Sequence, residues 1–415
     1  MAGPPNALLF GTGEYVTGFT GQGGSQSDKT FGVVGLVHFD LRRRGKVGSR
    51  IGLCGTNGDK FPQIREHFAK NLTFTNLPNI DFEGYPKAGR NSEAYKDALK
   101  EFQAGDICSV FTPDDTHFDI AMEAIGAGLH TMVTKPIVKT LEEHKKMVAL
   151  AREKGVLLQI EVHKRFDPIY NDARSRIQNL GDFNYFVSYM SQPKFQLETF
   201  KAWAGISSDI SYYLNSHHID FHVWAMEGIA VPVRVTAMAS TGVAKEILGR
   251  ECEDTITLNV EWENKKTGNK GTAVYTASWV ASKSDVHSQQ RFFCLMEKAE
   301  VTADQCHRGY TVAEDGVGFA SHNPLYIRNK PDSKGRYVGQ AGYGYVSFEK
   351  FVDAAQQIRD GAAKPEDFDD ELPTGAATLK VTAILEAGRR ALDEKKAIKI
   401  CYDADGAPDH LEAEG

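Results

Sequence analysis

Two stretches of this chain carry side chains able to move a proton. The first is Thr134-Lys135-Pro136. Proline restricts the residue before it to extended backbone, so Lys135 is held at the end of the apolar run His130–Thr134. A lysine partly stripped of water there has a lowered pKa, which suits proton transfer near neutrality. A solvated surface lysine is the plainer alternative. The second stretch is Ser207–Trp224, SSDISYYLNSHHIDFHVW. As a helix it sets Asp209, Tyr213 and His217 at i, i+4 and i+8, with Asp220 about one turn further on. A carboxylate, a phenol and an imidazole then share one stripe. His218 and His222 are four apart, a workable metal spacing. No third ligand accompanies them, so they read as buried structural histidines and no metal is expected.

A third stretch could cradle a charged cofactor. Gly11-Thr12-Gly13-Glu14-Tyr15-Val16 follows the short apolar run Ala7–Phe10. Glycines 11 and 13 allow a tight turn and let backbone N–H groups approach a pyrophosphate. Val16 stands where a third glycine is usual, and a glycine-rich stretch, Gly18–Asp28, delays the next helix. The second predicted strand, Arg50–Cys54, ends in Gly55, where an acid would take the ribose hydroxyls of the adenine side. Thr56, Asn57 and Lys60 remain to meet either a ribose or a 2′-phosphate, so NAD(H) and NADP(H) both fit.

The elements that must position these residues follow from periodicity. The first half predicts helices over Phe31–Arg44, Tyr95–Gln103, His117–Ala127 and Leu141–Lys154, alternating with strands at Asp106–Thr112, His130–Thr134 and Val156–Ile160. Thr140 and Glu143 form a capping-box pattern before the last helix, and Gly155 ends it. Such alternation implies a parallel, doubly wound sheet. Beyond about residue 165, Ile256, Leu258, Val260 and Trp262 alternate with polar residues, as do Ala273, Tyr275, Ala277 and Trp279. Period two with few helices between predicts an open, mainly antiparallel sheet. Two late amphipathic helices close the chain, and the region His322–Gly344 reads as loop. The expected division is a dinucleotide-binding domain at 1–160 and an α+β domain for substrate and oligomerisation at 161–415, whose terminal helices can pack back on the first.

Composition narrows the function classes. The 415 residues carry a net charge of −7, without the basic surplus of a nucleic-acid binder. Six cysteines lie far apart with no CxxC, which suits a reducing compartment. There is no apolar run long enough for a membrane span and no leader pattern, so a soluble cytoplasmic protein is expected.

Together these pieces resemble the glucose–fructose oxidoreductase / inositol dehydrogenase / rhizopine catabolism family, Gfo/Idh/MocA. The most specific stretch is TMVTKPIVKTLEEHKKMVALAREKGVLLQIEVHKRFDPIY; the H-x-x-D of His217–Asp220 and the ending GYVSFEKFVDAAQQI…TLKVTAILEAGRRALDEKKAI are further anchors. The resemblance implies a Rossmann domain plus an open-sheet domain, NAD(H) or NADP(H), and oxidation or reduction of a sugar, inositol or polyol. It maps the family lysine onto Lys135, the family histidine onto His217 and the following acid onto Asp220. Thr134 replaces the family glutamate, Tyr213 its first acid and Asn215 its glycine. It therefore implies His217 or Tyr213 as proton acceptor and Lys135 as the group polarising the oxygen. His163, Lys164, Arg165, Asp209 and Asp220 are the expected substrate contacts. Expected cofactor contacts are Gly11, Thr12, Gly13, Glu14, Tyr15, Thr56, Asn57 and Lys60, with Thr112, Pro113, Asp114, His117 and Lys135. A homodimer or homotetramer is implied. Two other readings share the fold: a glycoside hydrolase acting through transient 3-oxidation, and a non-enzymatic sensor. Retention of Lys135 and His217 argues against the sensor.

Overall fold

The computed structural model describes residues 2–20, 23–25 and 29–415. Gly21, Gln22 and Gln26–Asp28 of the expected glycine-rich insertion lie outside the described residues. The chain divides into two compact units. The first comprises residues 1–137, 145–163 and 326–377; the second comprises 138–144, 164–325 and 378–415. The sequence reading drew one boundary, after residue 160. Residues 326–377, with the late helix Tyr343–Arg359, return to the first unit, so the two units alternate along the chain. No helix among the described residues is long and apolar enough to cross a membrane.

In the first unit β1 (Ala7–Phe10), β2 (Ile51–Cys54), β3 (Glu83–Tyr85), β4 (Ile107–Val110), β5 (His130–Thr134) and β6 (Leu158–Glu161) form a parallel sheet, in the order β3-β2-β1-β4-β5-β6. This is the doubly wound Rossmann order, whose switch point lies between β1 and β4. β1, β2, β4 and β6 are buried at every position, as helices on both faces require. β3 and the helix Phe61–Asn71 were not foreseen. β3 has three residues, one of them glycine, so it offers no apolar run. The helix does bury Phe61, Ile64 and Phe68 at i, i+3 and i+7, a pattern present in the sequence. The helix Tyr343–Arg359 also belongs here. The Tyr345 hydroxyl donates to the buried Asp40 carboxylate at 2.9 Å, and Lys46 pairs with Glu349 at 2.7 Å and Asp353 at 2.8 Å.

The glycine-rich stretch interrupts a helix rather than delaying one. Glu14–Thr17 forms a first turn, and the helix resumes at Val34–Arg43. Val33 N–H donates to Tyr15 O at 2.8 Å, the bond that residue 19 would make in an unbroken helix. Gly18 (φ 74°) and Gly32 (φ 67°) close the neck: a Cβ on Gly18 would lie 2.1 Å from Thr30 O.

In the second unit β7 (Phe183–Pro193), β8 (Ala230–Thr241), β9 (Glu253–Asn264), β10 (Lys270–Ala281), β11 (Gln289–Met296), β12 (Glu300–Asp304), β13 (Ile398–Tyr402) and β14 (Pro408–Ala413) form one sheet. Its order is β12-β11-β7-β10-β9-β8-β13-β14. β7 and β10 run parallel and the remaining neighbours antiparallel. The expected mainly antiparallel architecture is therefore present, and the parallel pair makes the sheet a mixed one. Register follows the alternation: Ile256, Leu258 and Val260 stand opposite Ala277, Tyr275 and Ala273, all fully buried. The helix Leu379–Glu394 lies close over this face, where a Cβ on Gly388 would come within 2.6 Å of Leu258.

Candidate active site

Each unit gathers part of the expected chemistry. In the first, the turn after β1 is built around Gly11, whose φ is 109°. A Cβ there would lie 2.2 Å from Phe111 O, so only glycine fits. Gly11 N–H donates to Cys54 O at 2.8 Å, tying the turn to β2. Gly13 has no atom within 4 Å of a Cβ position, which leaves the open space a pyrophosphate needs over the backbone. Thr12 packs against Gly55, and the Glu14 carboxylate accepts a hydrogen bond from Ser25 of the insertion. Tyr15 stacks on Phe111 (5.5 Å) and its hydroxyl bonds that of Tyr326. Asn57 caps its own turn by accepting from Asp59 N–H, and Thr56 is exposed beside it.

Lys135 follows β5 and precedes a cis proline. It is half-buried, and loss of water lowers its amine from 10.5 to about 8. The carboxylates of Asp114 and Glu161 oppose that fall, and the charge of Lys29, just after the glycine-rich stretch, adds to it. His117 does not face the cofactor turn freely: Nδ1 lies 2.9 Å from Pro136 O and Nε2 2.8 Å from Thr112 O. The ring thus ties the turn after β4 to the turn after β5. Thr112 receives the Thr116 hydroxyl at 2.8 Å, and Pro113 and Asp114 open the short helical turn Asp114–Thr116. His163 donates from Nδ1 to Glu161 at 3.1 Å and stacks on Tyr343 (5.6 Å), with Tyr326 at 4.9 Å. Glu161, Tyr326 and Tyr343 were missed. Glu161 was legible as the strand-end acid two residues before His163. The two tyrosines come from a region read as loop and reach His163 only through the fold.

In the second unit the stripe of Asp209, Tyr213 and His217 does not lie on a plain α-helix. Ser211–Asn215 forms a π turn, with Ser216 N–H bonding back to Ser211 O, and the α-helix Ser216–Ala225 follows. Such widened turns are rare and recur at functional sites. Asp209 is buried; one carboxylate oxygen accepts Tyr212 N–H at 2.8 Å and the other meets Arg389 at 3.2 Å. Burial raises its pKa, while Tyr212 N–H and Arg389 pull it down. The Tyr213 ring packs between Trp203 (5.0 Å) and Phe200 (5.3 Å), and His217 follows one turn later, buried.

The run His163-Lys164-Arg165 is split. His163 stays in the first unit, whereas Lys164 and Arg165 are buried in the second. The Lys164 ammonium bonds Gln290 at 2.5 Å and Gln305, above the Tyr170 ring. Arg165 is doubly bonded to Asp220, at 2.7 and 3.0 Å. These groups are committed to each other inside the unit. His218 lies 2.9 Å from the Tyr170 hydroxyl and His222 2.6 Å from that of Tyr275; burial pushes both pKa values well down. Among the described residues, metal-ligand spacing occurs at Cys401, His410 and Glu412 of the β13–β14 hairpin, not among these histidines.

Comparison with known proteins agrees with this frame. Residues 29–162 match the family described as an oxidoreductase family with an NAD-binding Rossmann fold, GFO_IDH_MocA. The chain is 25% identical over 306 residues to scyllo-inositol 2-dehydrogenase (NADP(+)) IolW of Bacillus subtilis, across 71% of this chain and 79% of that one. It is 36% identical over 140 residues to UDP-N-acetylglucosamine 3-dehydrogenase of Acidithiobacillus ferrooxidans, across 33% of this chain and 38% of that one. Its fold matches the structure of myo-inositol 2-dehydrogenase from Lactobacillus plantarum with a TM-score of 0.63 and 17% identity, covering 96% of this chain and all of that one.

Proposed function

We propose that this chain is a member of the Gfo/Idh/MocA family of NAD(P)-dependent oxidoreductases, whose model its residues 29–162 match, and that it oxidises or reduces a secondary hydroxyl of an inositol, sugar or related polyol. The observation that carries the reading is Lys135. It stands at the carboxyl edge of a Rossmann sheet with its amine lowered to about 8, where a proton can be held or released near neutral pH. The names of the relatives, an inositol 2-dehydrogenase and a sugar-nucleotide 3-dehydrogenase, support a ring hydroxyl as the reacting group.

The open backbone at Gly13 and the switch-point turn at Gly11 fit a dinucleotide. When bound, the nicotinamide supplies the hydride acceptor or donor. The protein supplies position and the proton. Lys135 Nζ bonds the substrate oxygen and polarises it. The family resemblance, not a measured juxtaposition, gives the hydroxyl proton to His217 or Tyr213 of the second unit. Asp209 is a positioning residue: it anchors the start of the π turn through Tyr212 N–H and Arg389, and so fixes Tyr213. Tyr15, Thr112, Pro113 and Asp114 line the cofactor turns in this reading. Cytoplasmic placement is supported by six free cysteines. A homodimer or homotetramer rests on the family resemblance.

The test is the absorbance of reduced nicotinamide with purified protein, NAD or NADP, and a panel of inositols, sugars, uronic acids and aryl glycosides. A rise with one polyol is the expected result. Cofactor-dependent release of an aglycone without a net rise would replace this reading with redox-assisted hydrolysis.

A further inference from the structure

We propose that Cys401, His410 and Glu412 bind a zinc ion on the outer face of the β13–β14 hairpin, with Asp409 orienting His410. The site lies within the second unit and stands whether or not the oxidoreductase reading above holds.

The strand ladder assembles the ligands. Cys401 stands directly opposite His410, and Lys399 opposite Glu412. Side chains alternate between faces along a strand, so Cys401, His410 and Glu412 project to one side. Ile400 and its partner Leu411 project to the other, toward the hydrophobic core. The Cys401 thiol sulfur, a ring nitrogen of His410 and a carboxylate oxygen of Glu412 all lie within 4.8 Å of one another. Around a tetrahedral zinc ion, with bonds of about 2.0–2.3 Å, ligand atoms stand about 3.3–3.8 Å apart. Closing the set therefore takes side-chain shifts of about 1 Å, well within rotamer adjustment.

The imidazole is already aimed. Nε2 of His410 lies 3.0 Å from Glu412 Oε1, and Nδ1 lies 3.0 Å from Asp409 Oδ2. A carboxylate on the far nitrogen is the usual support of a metal-bound histidine: it accepts that N–H, fixes the tautomer and leaves the other lone pair for the ion. The hairpin is also closed without any ion. Asp403 N–H donates to Ala407 O at 3.0 Å, the Asp403 carboxylate accepts the N–H groups of Asp405 and Ala407, and β13 is paired to β8. Ligands carried on paired strands are held more closely than ligands on loops.

The donor set selects the metal. Thiolate, imidazole and carboxylate together suit zinc, whereas calcium and magnesium take oxygen ligands. Lys399 shares the face but offers no lone pair while charged. Cys401 is half-buried and His410 and Glu412 are exposed, so water can take the fourth position. The other five cysteines are buried, which leaves Cys401 as the thiol an ion meets from solution. The ion would tie β14, the last strand of the sheet, to its neighbour.

Isothermal titration of the reduced, EDTA-treated full chain with zinc chloride tests the site. The expected result is one equivalent per chain with a Kd of about 1 μM or below, weaker than four-ligand structural sites because one position is water. Cys401→Ser, His410→Ala and Glu412→Gln should each weaken it by at least about tenfold, and Asp409→Asn by roughly 10- to 100-fold. All four positions are half-buried or exposed, so the variants should keep the wild-type circular dichroism. With cobalt(II) in place of zinc, the chain should show the intense visible bands of a tetrahedral ion and a thiolate-to-metal band in the near ultraviolet. Both should be lost in Cys401→Ser. Less than one equivalent of zinc, uptake unchanged in Cys401→Ser and His410→Ala, or a cobalt spectrum without the thiolate band overturns the proposal.

Discussion

Replacing Lys135 by methionine should make the protein more stable and far less active. Its amine is lowered from 10.5 to about 8, and at 1.36 kcal/mol per unit this disfavours the charged form in the folded chain by about 3 kcal/mol. The sign follows from proton counts. Between pH 8 and 10.5 the unfolded chain holds a proton that the folded chain has released, so wild-type stability rises with pH through that window. Below pH 8 both states are protonated and the full penalty stands. Lys135→Met removes it, so the variant should gain up to about 3 kcal/mol at pH 7, and the gain should shrink by about 2 kcal/mol at pH 9.5. Activity should fall by ~10²–10⁴-fold, the usual contribution of a positioned proton donor or acceptor. All four tryptophans, Trp203, Trp224, Trp262 and Trp279, lie in the second unit. Urea unfolding must therefore be followed by far-ultraviolet circular dichroism, which also sees the first unit. A variant less stable than wild type at pH 7, or a difference independent of pH, would refute the argument that Lys135 is held against its own charge.

Other substitutions separate structural from chemical roles. Asp220→Asn strands Arg165, whose side chain is 5% exposed, and should cost about 3–5 kcal/mol in urea unfolding; a loss below about 1 kcal/mol would show the pair to be dispensable. Gly11→Ala combines φ 109° with a Cβ 2.2 Å from Phe111 O, so it should destabilise the first unit by about 1–3 kcal/mol or more and weaken binding of the reduced nicotinamide cofactor in a fluorescence titration. Of His217→Asn and Tyr213→Phe, one should lower kcat/KM by ~10²–10⁴-fold and flatten its pH profile. If both leave the profile intact, neither side chain carries the proton.

The sequence made the Rossmann half legible where an apolar run ended in a glycine or proline, as at β1, β2, β4 and β5, or followed a helix-ending glycine, as β6 follows Gly155. β1, β2, β4, β5 and β6 lie where those runs stood. β3 escaped because a three-residue strand containing glycine has no pattern of its own and is defined by pairing with β2. Lys135 was legible because Pro136 constrains its neighbour locally. Lys164 and Arg165 read as binding groups beside His163, but their partners, Gln290, Gln305 and Asp220, are 55 or more residues away. Adjacency in sequence gave no sign of these pairings. The π turn was likewise invisible: SYYLN has ordinary helical composition, and the wide turn is expressed in the backbone, with Asp209 anchored by Arg389 at its start.

The hydrogen bond from Val33 to Tyr15 gives the glycine-rich stretch a seam. Its two ends meet as neighbours on one helix, so a peptide joining Gly18 directly to Val33 would leave the ladder of bonds unbroken. Gly18 would need only to pass from left-handed to right-handed backbone, a change glycine makes without a side-chain clash. A stretch attached in this way behaves as a cassette. It can be lengthened, shortened or exchanged during descent without shifting the register of the helix or of the sheet beneath it. Its Ser25 touches Glu14, so each exchange would also alter the immediate surroundings of the turn after β1.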